Sequence, residues 1–370
     1  MKVNREKLNK FLREQAYVRI YNSLKRQEEE NSVVSLTHNV DKPTKIFLDA
    51  MTSDVKMMYD EVTEILHSEI DNRPEIINTI ETINFGEIGY KQVNCREHTI
   101  RIRYNNYNFA ISEIINMPNT VIVFRIKDLE INNPIYIATF KEILGKRNYY
   151  SHQMSDMVHY GQFLKSSPEA LSIDVYAING KICKSSFYSS FFHEFNHLYQ
   201  DYNELLNENI YENIKQYRIA ETAKTLKAND DFSEADVYHI SNILKNILNT
   251  TEIYAYAAGH FGELLGKNIT PDEYEEFTKI SNVWNHIYNL KASIKHVLEF
   301  SDEKNILLFK IIKNANFNEF FSSKFTSETN FKHLFKMTIV KRLQKLINIT
   351  IQNAAYYFGG GNRFKFKKVS

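Results

Sequence analysis

The chain has 370 residues, enough for two or three structural units with a substantial core. Its 46 Lys and Arg against 45 Asp and Glu leave a net charge of +1, which offers no electrostatic case for nucleic-acid binding. Two cysteines, Cys95 and Cys183, are too few for a disulfide framework and have no CxxC neighbours, which suits a reducing compartment.

The chain begins Met1-Lys2-Val3-Asn4-Arg5-Glu6-Lys7 and runs into a charged amphipathic pattern with no apolar h-region. The expectation is a cytoplasmic protein without a secretory signal or a membrane span. Residues 3–30 place Leu8, Phe11, Leu12, Val18, Tyr21 and Leu24 at near-helical spacing ahead of Glu28-Glu29-Glu30, an arm or packing helix. Helical patterning continues from Lys45 to Ile83, interrupted at Asn72-Arg73-Pro74. From Ile88 to Ile178 the pattern becomes that of strands. Thr99 to Tyr104 alternates, Val121-Ile122-Val123-Phe124 is a continuous run, and Pro134-Ile135-Tyr136-Ile137 reads as another. Ile173, Val175 and Ala177 alternate up to Asn179-Gly180, a hairpin signal. Ser185 and Ser186 follow as candidate N-caps of a helix from Phe187 to about Asp201.

That helix carries His193-Glu194-Phe195-Asn196-His197, an HExxH pattern. Two histidines at i and i+4 project from one helix face and can turn a ring nitrogen each toward one metal ion. Glu194 then stands beside the metal as a general base toward the attacking water, the arrangement this motif implies in zinc metalloproteases. The plainer reading is a metal-free pair of core histidines. It is disfavoured because Phe191, Phe192, Phe195, Leu198 and Tyr199 surround the pair with apolar bulk, where imidazoles are costly without a common partner. The strand ahead of the helix is also a candidate for pairing with an extended peptide.

A catalytic zinc needs a third protein ligand and one open position. The metzincin pattern fails, since positions 200 and 203 are Gln200 and Asn203 where Gly and His are required. Downstream, Thr250-Thr251-Glu252 opens a second helix through His260, with Ala255 and Gly259 on the face of Glu252, small enough for close approach to the motif helix. Glu252 is the favoured third ligand. As an acid in a helix's first turn it also has a plain explanation in the macrodipole. Asp201, Glu204, Glu208, Glu212, Glu221, Asp236 and His239 are the other candidates, Asp201 rather as a hydrogen-bond partner of an imidazole. Tyr256 and His260 follow Glu252 at i+4 and i+8 and are candidate donors to an oxyanion, with core and partner contacts as the alternative role.

In the segments Phe191–Asp201 and Thr250–His260 the chain resembles the gluzincin branch of the HExxH metallopeptidases. The resemblance implies His193, His197 and Glu252 as zinc ligands, Glu194 as base, and an α+β zincin-like fold. In that fold a mixed or antiparallel sheet precedes the motif helix, and a helical subdomain supplies the third ligand across a cleft. The spacing departs from any named family, for Glu252 lies 55 positions after His197 with no further recognisable element between them.

After the second helix the pattern is almost wholly helical. Thr270-Pro271-Asp272-Glu273 starts one helix, and another runs from about Asn330 to Phe358, where Gly359-Gly360-Gly361 stops it ahead of a short basic-aromatic tail. The expected organisation is an N-terminal helical region over 1–84, a catalytic core over 85–266 and a C-terminal helical region over 267–370. The leading function is a zinc-dependent peptidase acting on a peptide or protein substrate. The alternative is a structural or virion-associated protein that keeps a non-catalytic zincin site, its N-terminal and C-terminal helices serving as assembly surfaces. The richness in Asn, Ile, Lys and Tyr resembles proteins of AT-rich bacteria and their phages. An effector delivered into another cell is a third reading with the same chemistry.

Overall fold

The computed structural model describes residues 34–35, 40–72, 78–84, 90–115, 121–137, 170–202, 221–248, 250–314, 328–359 and 365–366. The helix expected over residues 3–30 lies outside them. The fold is α+β. A two-residue pairing joins β1 (Val34–Ser35) antiparallel to β7 (Lys365–Phe366), which ties part of the basic-aromatic tail to the chain ahead of the first described helix. The main sheet has five strands in the order β2 (Asn78–Asn84), β3 (Tyr90–Arg103), β4 (Val121–Leu129), β5 (Ala170–Ile178) and β6 (Lys181–Ile182). It is mixed: β4 and β5 run parallel, the other pairings antiparallel.

Helix α1 (Lys42–Asn72) buries Phe47, Leu48, Met51, Val55, Met58, Val62 and Leu66, a stripe at helical spacing. The stripe joins Ile100, Ile122, Phe124, Ile173 and Val175 of the sheet in one core. That core also holds Phe187, Phe191, Phe192, Phe195 and Leu198 of the HExxH helix, α2 (Lys184–Tyr202). Phe187, Phe191 and Phe124 stack nearly parallel, so α2 is seated on β4 by aromatic faces. Asn179 and Gly180 have φ of 50° and 75°, the left-handed pair that a tight two-residue hairpin needs.

Three expectations are corrected. Residues 78–84 form strand β2, where a helical pattern reached Ile83. Pro74 disfavours helix in the residue ahead of it, and the β-branched Thr79, Ile80, Thr82 and Ile83 pair with the first half of β3. Pro134–Ile137, read as a strand, is a helical turn. Asn133 caps it, accepting from the Ile135 N–H at 2.9 Å through its side chain and from the Ile137 N–H at 3.0 Å through its carbonyl, with Pro134 at the first helical position. Helix α2 starts at Lys184 rather than Phe187, with the Cys183 carbonyl accepting from the Phe187 N–H at 3.0 Å; Ser185 and Ser186 lie inside its first turn.

A second core lies in the helical half. It is built from α3 (Glu234–Asn242), a π-helical turn (Ile243–Ile247), α6 (Asn282–Leu298), α7 (Asp302–Asn314) and α8 (Glu328–Tyr357). Helix α4 (Thr250–Lys267) stands between the two cores: Ile253 belongs to the helical core, Ala258 and Phe261 to the sheet core. Helix α5 (Tyr274–Ile280) packs Tyr274 and Phe277 on Leu264 of α4 and Ala354 of α8. No helix among the described residues is long and apolar enough to cross a membrane.

Asp236 pins this half together. It is 3% exposed, closes a capping box with Ser233, and accepts from Lys304 Nζ at 2.7 Å and His296 Nε2 at 2.8 Å. Burial pushes its carboxyl up, but the bonds from Lys304, Ser233 and His296 outweigh it and hold the group well below the usual carboxylate range. A depressed carboxyl stabilises the fold at neutral pH, and that stabilisation is lost as pH falls through the carboxylate range. Asp236→Ala should lower stability at pH 7 by about 2–3 kcal/mol in urea melts, because Lys304 and His296 lose their common partner. The gap between variant and wild type should narrow in acid, and a gap that stays constant would contradict the assignment.

Candidate metal centre

Helices α2 and α4 approach backbone to backbone, and glycines make this possible. A Cβ built on Gly262 would lie 2.5 Å from the Tyr188 carbonyl oxygen, and one on Gly266 would lie 2.7 Å from Ser185 Cα. Gly259 is looser, with Ser189 atoms at 3.3 Å and His193 Cβ at 3.7 Å. The face of α4 that carries Glu252 is thereby pressed against the face of α2 that carries the histidines.

The result is a convergence of three side chains. His193 Nε2 and His197 Nε2 stand 3.2 Å apart, and the Glu252 oxygens lie 3.5 Å from the first and 3.7 Å from the second. One donor atom from each residue falls within 4.8 Å of the others. Ligands about 2.0–2.1 Å from a tetrahedral zinc stand roughly 3.3–3.4 Å apart, and these separations lie within a few tenths of an ångström of that spacing. The three side chains are 17–18% exposed, so the cluster is not sealed from solvent. The donor set, two imidazoles and a carboxylate, fits a divalent metal.

Electrostatics separate the two glutamates. Burial raises the Glu252 carboxyl, but the electrostatic pull of His197 and the hydrogen bond from His193 prevail and hold it well below the usual range. Glu194 is pushed up to about 8, by burial first; repulsion from Glu252 and Asp174 adds to the rise, and His197 and Lys245 oppose it. Its carboxylate oxygen is 4.0 Å from His193 Nε2. The cluster therefore sets an ionised carboxylate, Glu252, beside a carboxyl disposed to carry a proton, Glu194.

Of the remaining candidates Tyr256 touches the cluster, and the other described ones sit elsewhere. Tyr256 meets the His193 ring edge-on, centroids 4.8 Å apart, and its hydroxyl donates to Asn246 Oδ1 at 3.1 Å. His260 is fully buried, with Nδ1 3.2 Å from Glu263 and Nε2 3.1 Å from the Tyr274 hydroxyl, where it braces α4 to α5. Eight residues beyond Glu252 on a helix is about 12 Å along the axis, so the fold does not bring it to the cluster. Asp236 and His239 belong to the helical half, where His239 Nδ1 lies 3.0 Å from Ser293 Oγ, and Glu221 is exposed. Glu204, Glu208 and Glu212, and the Asp201 side chain, lie outside the described residues. The sequence reading missed Asp174 and Lys245, whose charges act on Glu194, and the π-turn that supplies Asn246. It also passed over Gly262 and Gly266, although their spacing from Gly259 was legible. No protein-family model, curated protein or solved structure matches this chain.

Proposed function

We propose that this protein is a zinc-dependent metallopeptidase of gluzincin type, with a zincin-like catalytic core. The observation that carries the proposal is the convergence of His193, His197 and Glu252 from two helices, with Glu194 beside them. Zinc, when bound, supplies Lewis acidity toward a scissile carbonyl and makes an attacking water more acidic. Glu194 takes the proton from that water and hands it to the leaving amine. A divalent cation beside Glu194 would keep its carboxylate ionised to take up the first proton, and the leaving amine, the stronger base, draws that proton from it in the second step. Strand β6 pairs only with Ala177 and Ile178. Among the described residues no strand lies beside Leu171–Val175 on that edge of β5, and it is there that an extended peptide would pair with the main chain in this reading.

Purified without chelator, the full chain should carry close to one zinc by elemental analysis and cleave casein or a peptide library in a chelator-sensitive way. His193→Ala, His197→Ala and Glu252→Ala should each lose the metal. Full zinc in the His193→Ala/His197→Ala double variant would place the ion elsewhere and sink the proposal. Retained zinc with no cleavage of any peptide is the result expected of a non-catalytic assembly protein.

A further inference from the structure

Tyr256 stands between the metal cluster and the helical half. One contact of its ring is the edge of His193, at 4.8 Å between centroids; another is the His286 ring of α6, at 4.0 Å and tilted by 31°. Its hydroxyl hydrogen is directed at Asn246 Oδ1, 3.1 Å away. Asn246 is itself held, its Nδ2 donating to the Asn242 side-chain oxygen at 2.7 Å and to the Asn242 carbonyl at 3.1 Å. Asn242 Nδ2 in turn donates to Ser293 Oγ at 2.9 Å, and Ser293 is fully buried on α6. The π-helical turn over Ile243–Ile247 is what places Asn246 here, between α3 and the start of α4.

The phenol O–H is already engaged with an amide oxygen whose own orientation is fixed by two further bonds. Donation to a substrate oxyanion would require breaking that chain. The ring, in contrast, touches the cluster directly at His193.

We infer that Tyr256 is a positioning residue: its ring, anchored by Asn246 and His286, sets the orientation of His193 and makes the metal affinity of the site depend on the helical half. This rests on the metal reading of the His193–His197–Glu252 cluster. Hydrogen-bonded partners that orient a metal-ligating imidazole commonly account for about 10–100-fold in metal affinity, and that range is the upper bound for a ring contact.

The test uses the full chain, with zinc affinity measured by competition with a chromogenic chelator and ligand geometry read from the visible spectrum of the cobalt-substituted protein. Tyr256→Phe keeps the ring and loses its anchor, so zinc affinity should fall several-fold. Tyr256→Leu loses both and should bind zinc more weakly still, by up to about 10–100-fold, with shifted cobalt bands. Asn246→Ala should match Tyr256→Phe, and the double variant should be no weaker than either single, because both remove the same bond. Circular dichroism and thermal melts establish that each variant is folded. If Tyr256→Leu does not fold, the Phe and Asn246 variants decide the matter. Wild-type affinity and an unshifted cobalt spectrum in the folded variants overturn the inference. Absence of zinc from the wild type overturns the metal reading instead.

Discussion

Glu194→Gln should keep one zinc per chain and lower peptide hydrolysis by about 10²–10⁴-fold, the range that a positioned general base contributes. The amide preserves the shape of the carboxyl and fills the same 5%-exposed space, so neither α2 nor the ligand set has cause to move. What it removes is the oxygen that, in the proposed mechanism, accepts and returns a proton. The same variant has a signature that does not depend on activity. In the metal-free fold the carboxyl sits at about 8, far above its ordinary value, so at neutral pH it is protonated. A cation bound beside it favours the ionised form and expels that proton. Zinc titration by calorimetry in buffers of different ionisation heat should therefore release about one proton fewer from Glu194→Gln than from the wild type at pH 7. The sign extends to stability. A raised carboxyl pKa means that the folded metal-free chain holds a proton the unfolded chain has released, so stability should decline as pH rises from the ordinary carboxyl range toward 8. Glu194→Gln should flatten that decline. Wild-type turnover in the variant would remove Glu194 from the mechanism, whatever the metal does.

The parts of this site that were legible in the sequence are those whose geometry is local. His193 and His197 share a helix face because they are four residues apart, and Glu194 falls beside them for the same reason. Glu252 was reachable because an acid in a first turn, followed by Ala255 and Gly259, describes a helix able to approach another closely. His260 shows where that reasoning fails. At i+8 its direction has drifted from that of Glu252 and it lies more than two turns away, and Glu263, Tyr274 and Ser281 enclose it. The short segments 78–84 and 134–137 were misread because so few residues carry almost no periodicity. Pairing with β3 decided the first and the Asn133–Pro134 cap the second. Asp174 and Lys245 act on Glu194 only because the chain brings β5 and the π-turn to it. Sequence spacing holds no trace of that proximity.

Gly262→Ala should be the most damaging single-methyl change in the α2–α4 contact. Two effects oppose each other. Alanine is the better helix former by about 1 kcal/mol, so propensity alone predicts a more stable protein. Against this, the new methyl would stand 2.5 Å from the Tyr188 carbonyl oxygen and 2.8 Å from its carbon, and both belong to helix backbone that cannot swing aside. Relief requires α4 to move off α2, and overpacking of a close contact costs about 1–3 kcal/mol, occasionally more. The clash with backbone places this site at the upper end, leaving a net loss of about 2 kcal/mol after the propensity gain. The displacement also separates Glu252 from His193 and His197, so zinc affinity should fall along with the melting temperature. A graded series tests the cause. At Gly266 the nearest atom is Ser185 Cα at 2.7 Å and the damage should be somewhat less. At Gly259 the nearest atoms are at 3.3 Å, where the propensity gain and the crowding nearly cancel. Thermal melts and chelator competition on the three alanine variants should rank them Gly262, Gly266, Gly259 in both readouts. Equal or increased stability in Gly262→Ala would show that α2 and α4 do not meet as closely as these glycines imply, and the placement of Glu252 beside the two histidines would lose its support.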